Sequence, residues 1–246
     1  QTAYDRILDA ATDNPGEHIV EKMLSGKYLG ELARIVIADF VHAGALFEGK
    51  DASVFDRQGS LLTAVMSAIE TGTSTEILAA DNSKDATRSS EERENTRRII
   101  ELLDQAVSED RHRLEQVLQV VSDRAAWLAA LSVAAVVRKI DPELSRPHVV
   151  AVDGSVFEKY IRFRGRMEEA LKAVFGQAAQ HIRFELTKDG AGMGAAVIAG
   201  VAASHPDGGG WEDVELLDIF DVAVFCVVSK SRARVQQEGD WNRIIQ

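Results

Sequence analysis

The chain has 246 residues, 46% hydrophobic and 27% charged, enough to bury a substantial core in one large domain or two small ones. A net charge of -11 and a pI near 5.1 exclude a nucleic-acid surface, which needs clustered Lys and Arg. Cys226 is the single cysteine, so no internal disulfide can form and a reducing cytoplasm is the expected home.

The first residue is Gln1 rather than Met and no signal-peptide pattern follows, which reads as processing or a fragment. Asn14, Pro15 and Gly16 break the chain. From Ile19 to Val41 apolar residues recur at helical spacing, predicting one long amphipathic helix slackened at Gly26. A loop near Gly49 leads to a short helix around residues 56–69. Residues 70–92, rich in Thr, Ser, Asp and Asn, predict an exposed connection. Helices follow over 91–104 and 109–140, the second with an Ala-rich buried end.

His148 to Val152 is an apolar strand running into Asp153, Gly154 and Ser155. A charged helix near 164–175, a strand at 181–187, a Gly-rich turn and an apolar helix over 194–203 complete the pattern. Strand, helix, strand, helix predicts a parallel α/β unit. The run 190–203 is too short and too rich in Gly and Ala to cross a bilayer, so a soluble protein without a membrane span is expected. Residues 204–246 change character, with an acidic stretch, the apolar run 222–228 (strand or core helix) and a polar end. They read equally as a docked extra element or a disordered end.

Three constellations carry chemistry. Glu21 sits on the apolar helical pattern, where a lone carboxylate is costly unless a ligand or partner uses it. His18 lies one turn before it, and Gly26 and Lys27 follow. A partly buried carboxylate can accept from two sugar hydroxyls, and Lys27 can reach a phosphate; the spacing equally fits a solvated helix face. Asp153, Gly154 and Ser155 end a strand where α/β folds bind ligands. There Gly154 would let a ligand approach and Ser155 would cap the next helix, although a plain turn uses the same residues. Gly190, Ala191 and Gly192 open an apolar helix whose unpaired amides could meet a phosphate, or simply pack closely. The remaining histidines show no metal spacing, no covalent-nucleophile arrangement is present, and the acidic cluster from Glu212 to Asp221 reads as a solvated face.

These segments fall in an order that resembles the hexokinase family. TAYDRILDAATDNPGEHIVEKMLSGKYLGELARIVI is similar to the segment that opens the large lobe, VAVDGSVFEKY to the adenosine segment, and TKDGAGMGAAVIAGVA to the last nucleotide loop and helix. The resemblance implies the actin-like (ribonuclease H-like) α/β fold, a parallel or mixed sheet with many helices. It implies residues 1–203 as the large, C-terminal domain and 204–246 as an unmatched tail.

The implied activity is transfer of the γ-phosphoryl of ATP, with Mg2+ carried by the nucleotide, to the 6-hydroxyl of glucose or a related hexose. Glu21 and His18 would then contact sugar, Gly26 and Lys27 the phosphates, and Asp153, Gly154, Ser155, Gly190, Ala191 and Gly192 the adenosine and α-phosphate side. The family usually has Gln at position 18 and Ser at position 191. Losing one such charge-assisted bond costs roughly 1.5–3 kcal/mol.

The family's upstream motifs, including the Leu-Asp-Leu-Gly-Gly-Thr-Asn phosphate loop and the catalytic Asp, are not among these 246 residues. The chain alone is therefore expected to be inactive, with a small lobe or self-association as candidate partners. The alternative is a non-catalytic, hexokinase-like regulatory or scaffold protein that binds sugar, nucleotide or a partner subunit.

Overall fold

The computed structural model describes residues 1–71 and 89–187 in full and the backbone of 224–229. Helix α1, Ala3–Ala10, starts on a capping box in which the Thr2 hydroxyl accepts from the Asp5 amide and the Asp5 carboxylate accepts from the Thr2 amide.

The single helix expected from Ile19 to Val41 is two: α2, Ile19–Leu24, and α3, Leu29–His42. The cause is one side chain from elsewhere in the chain. In a continuous helix the Gly30 amide would donate to the Gly26 carbonyl. Here the Gly30 amide donates to Thr63 Oγ1 at 2.9 Å, and that hydroxyl donates to the Gly26 carbonyl at 2.7 Å. A hydroxyl inserted into the helical ladder breaks it, and Ser25 turns extended at the end of α2.

Thr63 opens α4, Thr63–Glu70, later than the helix expected from residue 56; a 3-10 turn, Ser53–Asp56, precedes it. Helix α3 and the start of α4 are in close backbone contact. A Cβ at Gly30 would collide with the Leu61 carbonyl and lie 2.7 Å from the Thr63 nitrogen.

Helix α5, Ser90–Gln105, begins on a second capping box, Ser89 with Glu92. Helix α6, Ser108–Ile140, carries Glu109 and Asp110 in its first turn and Arg138 and Lys139 in its last, which complements the helix dipole. By length and hydropathy α6 could cross a bilayer, but half of its most apolar stretch is buried inside the protein. It is a core helix: Ala125, Ala126, Ala129, Ala130, Val133 and Val137 are buried, and α6 packs on α2, α3, α4 and α8, Phe163–Phe175.

Strand β1, His148–Asp153, alternates buried and half-buried residues. It pairs in parallel with β2, Ile182–Leu186, with Val150 opposite Phe184. On its other edge it pairs antiparallel with β3, Val224–Ser229, with Val150 opposite Val227. The sheet order is β2-β1-β3. The apolar run 222–228 of the tail thus supplies most of a strand, while the helix expected over 194–203 lies outside the described residues. A short helix α7, Ser155–Lys159, follows β1 directly. The architecture is a mostly helical α/β fold around a small mixed sheet.

Candidate functional site

The approach to α2 is held from both sides. The Asp9 carboxylate accepts from the Gly16 amide and from Lys22 Nζ at 2.7 Å, and Lys22 Nζ also donates to the Asn14 carbonyl at 2.6 Å. Lys22 is only 2% exposed. Its hydrogen bond, more than any other contact, holds the Asp9 carboxyl below the usual range. This clamp fixes the Asn-Pro-Gly turn and starts α2 in one orientation. His18 sits at its N-cap with φ 49°, a left-handed conformation that His tolerates better than most residues.

From α2, Glu21 is aimed at the cavity, with its side chain 23% exposed and His18 Nδ1 4.0 Å from Glu21 Oε2. One turn later the chain leaves the helix through Ser25, Gly26 and Lys27. Gly26 lies against the far segment: a Cβ there would be 2.7 Å from Val156 Cγ2 and 3.6 Å from Ser155 Oγ. Only a residue without a side chain lets the β1–α7 junction approach so closely. Lys27 is exposed, with Nζ 5.0 Å from the centre of the Tyr28 ring. Its pKa is raised, first by hydrogen bonding to Tyr28 and further by Tyr28, Glu21 and Asp13.

Strand β1 delivers the second constellation. Gly154 is extended, φ 167°, and a Cβ there would meet nothing within 4 Å, so the space before it is open. Ser155 does not cap the helix as expected. Gly154 occupies the cap position, Ser155 is the first helical residue, and no side chain caps α7.

The two constellations meet around one cavity of about 280 Å³. Glu21, Ser25, Gly26 and Lys27 form one wall and Gly154 and Ser155 the other, while Ala129, Phe163 and Met167 make an apolar floor from α6 and α8. His18 and Asp153 lie outside the lining, His18 beside Glu21 and Asp153 half-buried at the end of β1. Gly190, Ala191 and Gly192 fall outside the described residues. Among the described residues no group of three or more His, Cys, Asp or Glu is placed to hold a metal.

The sequence does not reveal the floor residues: Ala129 reads only as part of the buried Ala-rich end of its helix, and Met167 sits in what reads as a charged helix. The sequence signal for Ser25 is its place between Glu21 and Gly26.

Below the floor α8 is fixed by a buried charged network. Arg166 Nη2 lies 2.8 Å from Glu70 Oε2, Arg166 Nη1 donates to Ser122 Oγ at 2.7 Å, and Tyr160 donates to Glu70 Oε1 at 2.6 Å. Burial first, then the Glu70 charge and hydrogen bond, push the Tyr160 phenol far up, so it remains a neutral donor.

The comparisons with known proteins agree with one another. The family model described as "Hexokinase" matches residues 1–201. Hexokinase-1 of Spinacia oleracea is 33% identical over 211 residues, covering 83% of this chain and 39% of its own length. Hexokinase-7 of Oryza sativa subsp. japonica is 30% identical over 209 residues, covering 83% and 42%. Among solved structures, a hexokinase from Schistosoma mansoni complexed with glucose superposes with a TM-score of 0.63 at 27% identity. That superposition covers 82% of this chain and 41% of the other. The chain thus spans about two fifths of the length of these relatives.

Proposed function

The chain belongs to the hexokinase family, as a C-terminal domain covering most of its length, and from this we propose that its cavity holds hexose and MgATP for transfer of the γ-phosphoryl to the sugar 6-hydroxyl. The observation that carries the reading is the contact of Gly26 with Val156. Through it the segment bearing Glu21 and Lys27 faces the segment bearing Gly154 and Ser155 across one cavity. The glucose bound by the Schistosoma mansoni relative supports a hexose as the sugar.

In this reading Glu21 accepts hydrogen bonds from hexose hydroxyls, and its partial burial strengthens them. His18 lies beside it, 4.0 Å away, and would add a second contact to the sugar. Lys27 supplies positive charge toward the phosphates, and Gly26 leaves room for them. Gly154 and Ser155 line the adenosine and α-phosphate side with Asp153 next to them at the end of β1, and the family resemblance assigns Gly190, Ala191 and Gly192 to the same nucleotide. The apolar floor of Ala129, Phe163 and Met167 limits water.

In the reaction the bond between the γ-phosphorus and the β,γ-bridging oxygen breaks and a bond to the sugar 6-oxygen forms. A general base takes the 6-hydroxyl proton. No family motif for that base occurs in these 246 residues, so the chain binds the substrates and a second lobe completes the reaction.

The test pairs calorimetric glucose binding with a coupled assay of ATP-dependent glucose phosphorylation, each on the unmodified chain and on Glu21→Ala. Glucose binding lost in the variant, with no turnover in either protein, is expected. Turnover by the unmodified chain that vanishes in Glu21→Ala would mean that it completes the catalytic site by itself. Equal glucose binding in both proteins would remove Glu21 from the site.

A further inference from the structure

Ser25 holds a hydroxyl that the fold does not use. Its backbone is fully engaged: the Ser25 amide donates to the Glu21 carbonyl at 2.8 Å, and the Ser25 carbonyl accepts from the Tyr28 and Leu29 amides at 3.0 Å each. The Oγ is shielded from solvent and has no hydrogen-bond partner. Leaving a buried hydroxyl unpaired opposes folding, and such groups in native proteins commonly mark a place where something else binds. Thr63 provides the contrast, since its hydroxyl both donates and accepts to hold the α2–α3 break. The break is therefore secured without Ser25.

Ser25 also lines the cavity, four residues after Glu21. That spacing sets the two side chains one helical turn apart, roughly 5–6 Å between Cβ atoms. A sugar hydroxyl that donates its proton to the Glu21 carboxylate keeps two lone pairs that need a donor. Ser25 is in extended backbone, where staggered rotamers are open to it, so rotation about one bond can aim its hydroxyl at such an oxygen. A phosphoryl oxyanion is the poorer guest there, because the neighbouring carboxylate repels it.

Building on the proposed hexose site, we infer that Ser25 is a specificity-determining residue whose hydroxyl donates to a sugar hydroxyl oxygen held at the same time by Glu21. Ser25 reads the sugar and not the nucleotide.

The experiment is isothermal titration of the full 246-residue chain with glucose and, separately, with MgATP, for the unmodified protein, Ser25→Ala and Glu21→Gln. Thermal midpoints are recorded for each. Ser25→Ala is expected to raise the glucose Kd about 2- to 10-fold, the loss of one neutral hydrogen bond. Its MgATP Kd stays unchanged, and its thermal midpoint is equal or higher because no protein partner is lost.

Unchanged glucose affinity in Ser25→Ala, beside a glucose-binding parent, overturns the assignment alone. A loss confined to MgATP, or a midpoint lowered by several degrees, also overturns it, the latter by giving the hydroxyl a structural task. If neither the unmodified chain nor Glu21→Gln takes up glucose, the hexose reading fails and this assignment with it.

Discussion

Replacing Arg166 by Met tests how the cavity floor is held. The Arg166 and Glu70 side chains are 8% and 6% exposed and sit 2.8 Å apart. Without the guanidinium, Glu70 keeps the hydrogen bonds from Ser122 and Tyr160, both at 2.6 Å, but loses its counter-charge. Removing one partner of a buried pair typically costs about 3–5 kcal/mol. The second carboxylate on Arg166, Asp123, is 38% exposed, and water takes over much of that interaction, so it adds little.

For a chain of this size each kcal/mol moves the thermal midpoint by about 2–4 °C. Arg166→Met should therefore lower it by roughly 6–20 °C, or shift urea unfolding by the matching amount at unchanged slope. Glu70→Gln in the same protein removes the stranded charge, so the double variant should recover at least about 1 kcal/mol relative to additivity. A loss under about 1 kcal/mol for Arg166→Met, or strict additivity of the pair, would refute the view that this ion pair is what fixes α8.

Gly30→Ala raises intrinsic helix propensity by about 1 kcal/mol, yet its Cβ meets the backbone of Leu61 and Thr63. The collision, about 1–3 kcal/mol or more, should win, giving a net loss in urea unfolding; a stabilised variant would contradict it. Gly26→Ala presses on Val156, 2.7 Å away, and should open the cavity and weaken MgATP binding, with Val156→Ala in the same protein restoring part of it. Calorimetry that finds Gly26→Ala unaltered would mean that the two segments do not need their close contact.

Asp141 supplies a pH dependence. Burial pushes its carboxyl up, but hydrogen bonds from His148, Ser145 and Arg146 outweigh that and bring it down to about 2, from an ordinary 3.8. A lowered folded pKa gives stability that is fully present above 3.8 and is lost as pH falls toward 2. Asp141→Asn should flatten the stability profile over that interval, and an identical acid limb in variant and parent would count against it.

Much of this fold was legible in the sequence because local signals agreed with the final packing. The strand at 148–153 ended on Asp-Gly, and α6 announced itself by thirty-three residues of helical spacing. What was illegible depended on residues far apart in the chain. The α2–α3 break comes from Thr63, 37 positions beyond Gly26, while apolar spacing runs on through it, so periodicity alone predicts one helix. Strand β3 was ambiguous because its partner β1 lies some seventy residues earlier and nothing in its own apolar run distinguishes strand from helix.

The same division applies to the site. Glu21, Gly26, Lys27, Gly154 and Ser155 could be picked out from motif and resemblance, and the structure brings all five around one cavity. The floor could not be read, since Ala129 and Met167 gain their role only when α6 and α8 meet. Nor could the idle hydroxyl of Ser25, because an unpaired group is recognised only once every neighbour is known.

The most direct test of the central claim is amide chemical-shift mapping of the isotope-labelled chain with glucose and then MgATP added. The account predicts perturbations concentrated at residues 18–27 for glucose and extending to 152–157 with MgATP. Absence of shifts at both segments, or shifts centred at the opposite end of β1 around Asp141 and His148, would contradict it.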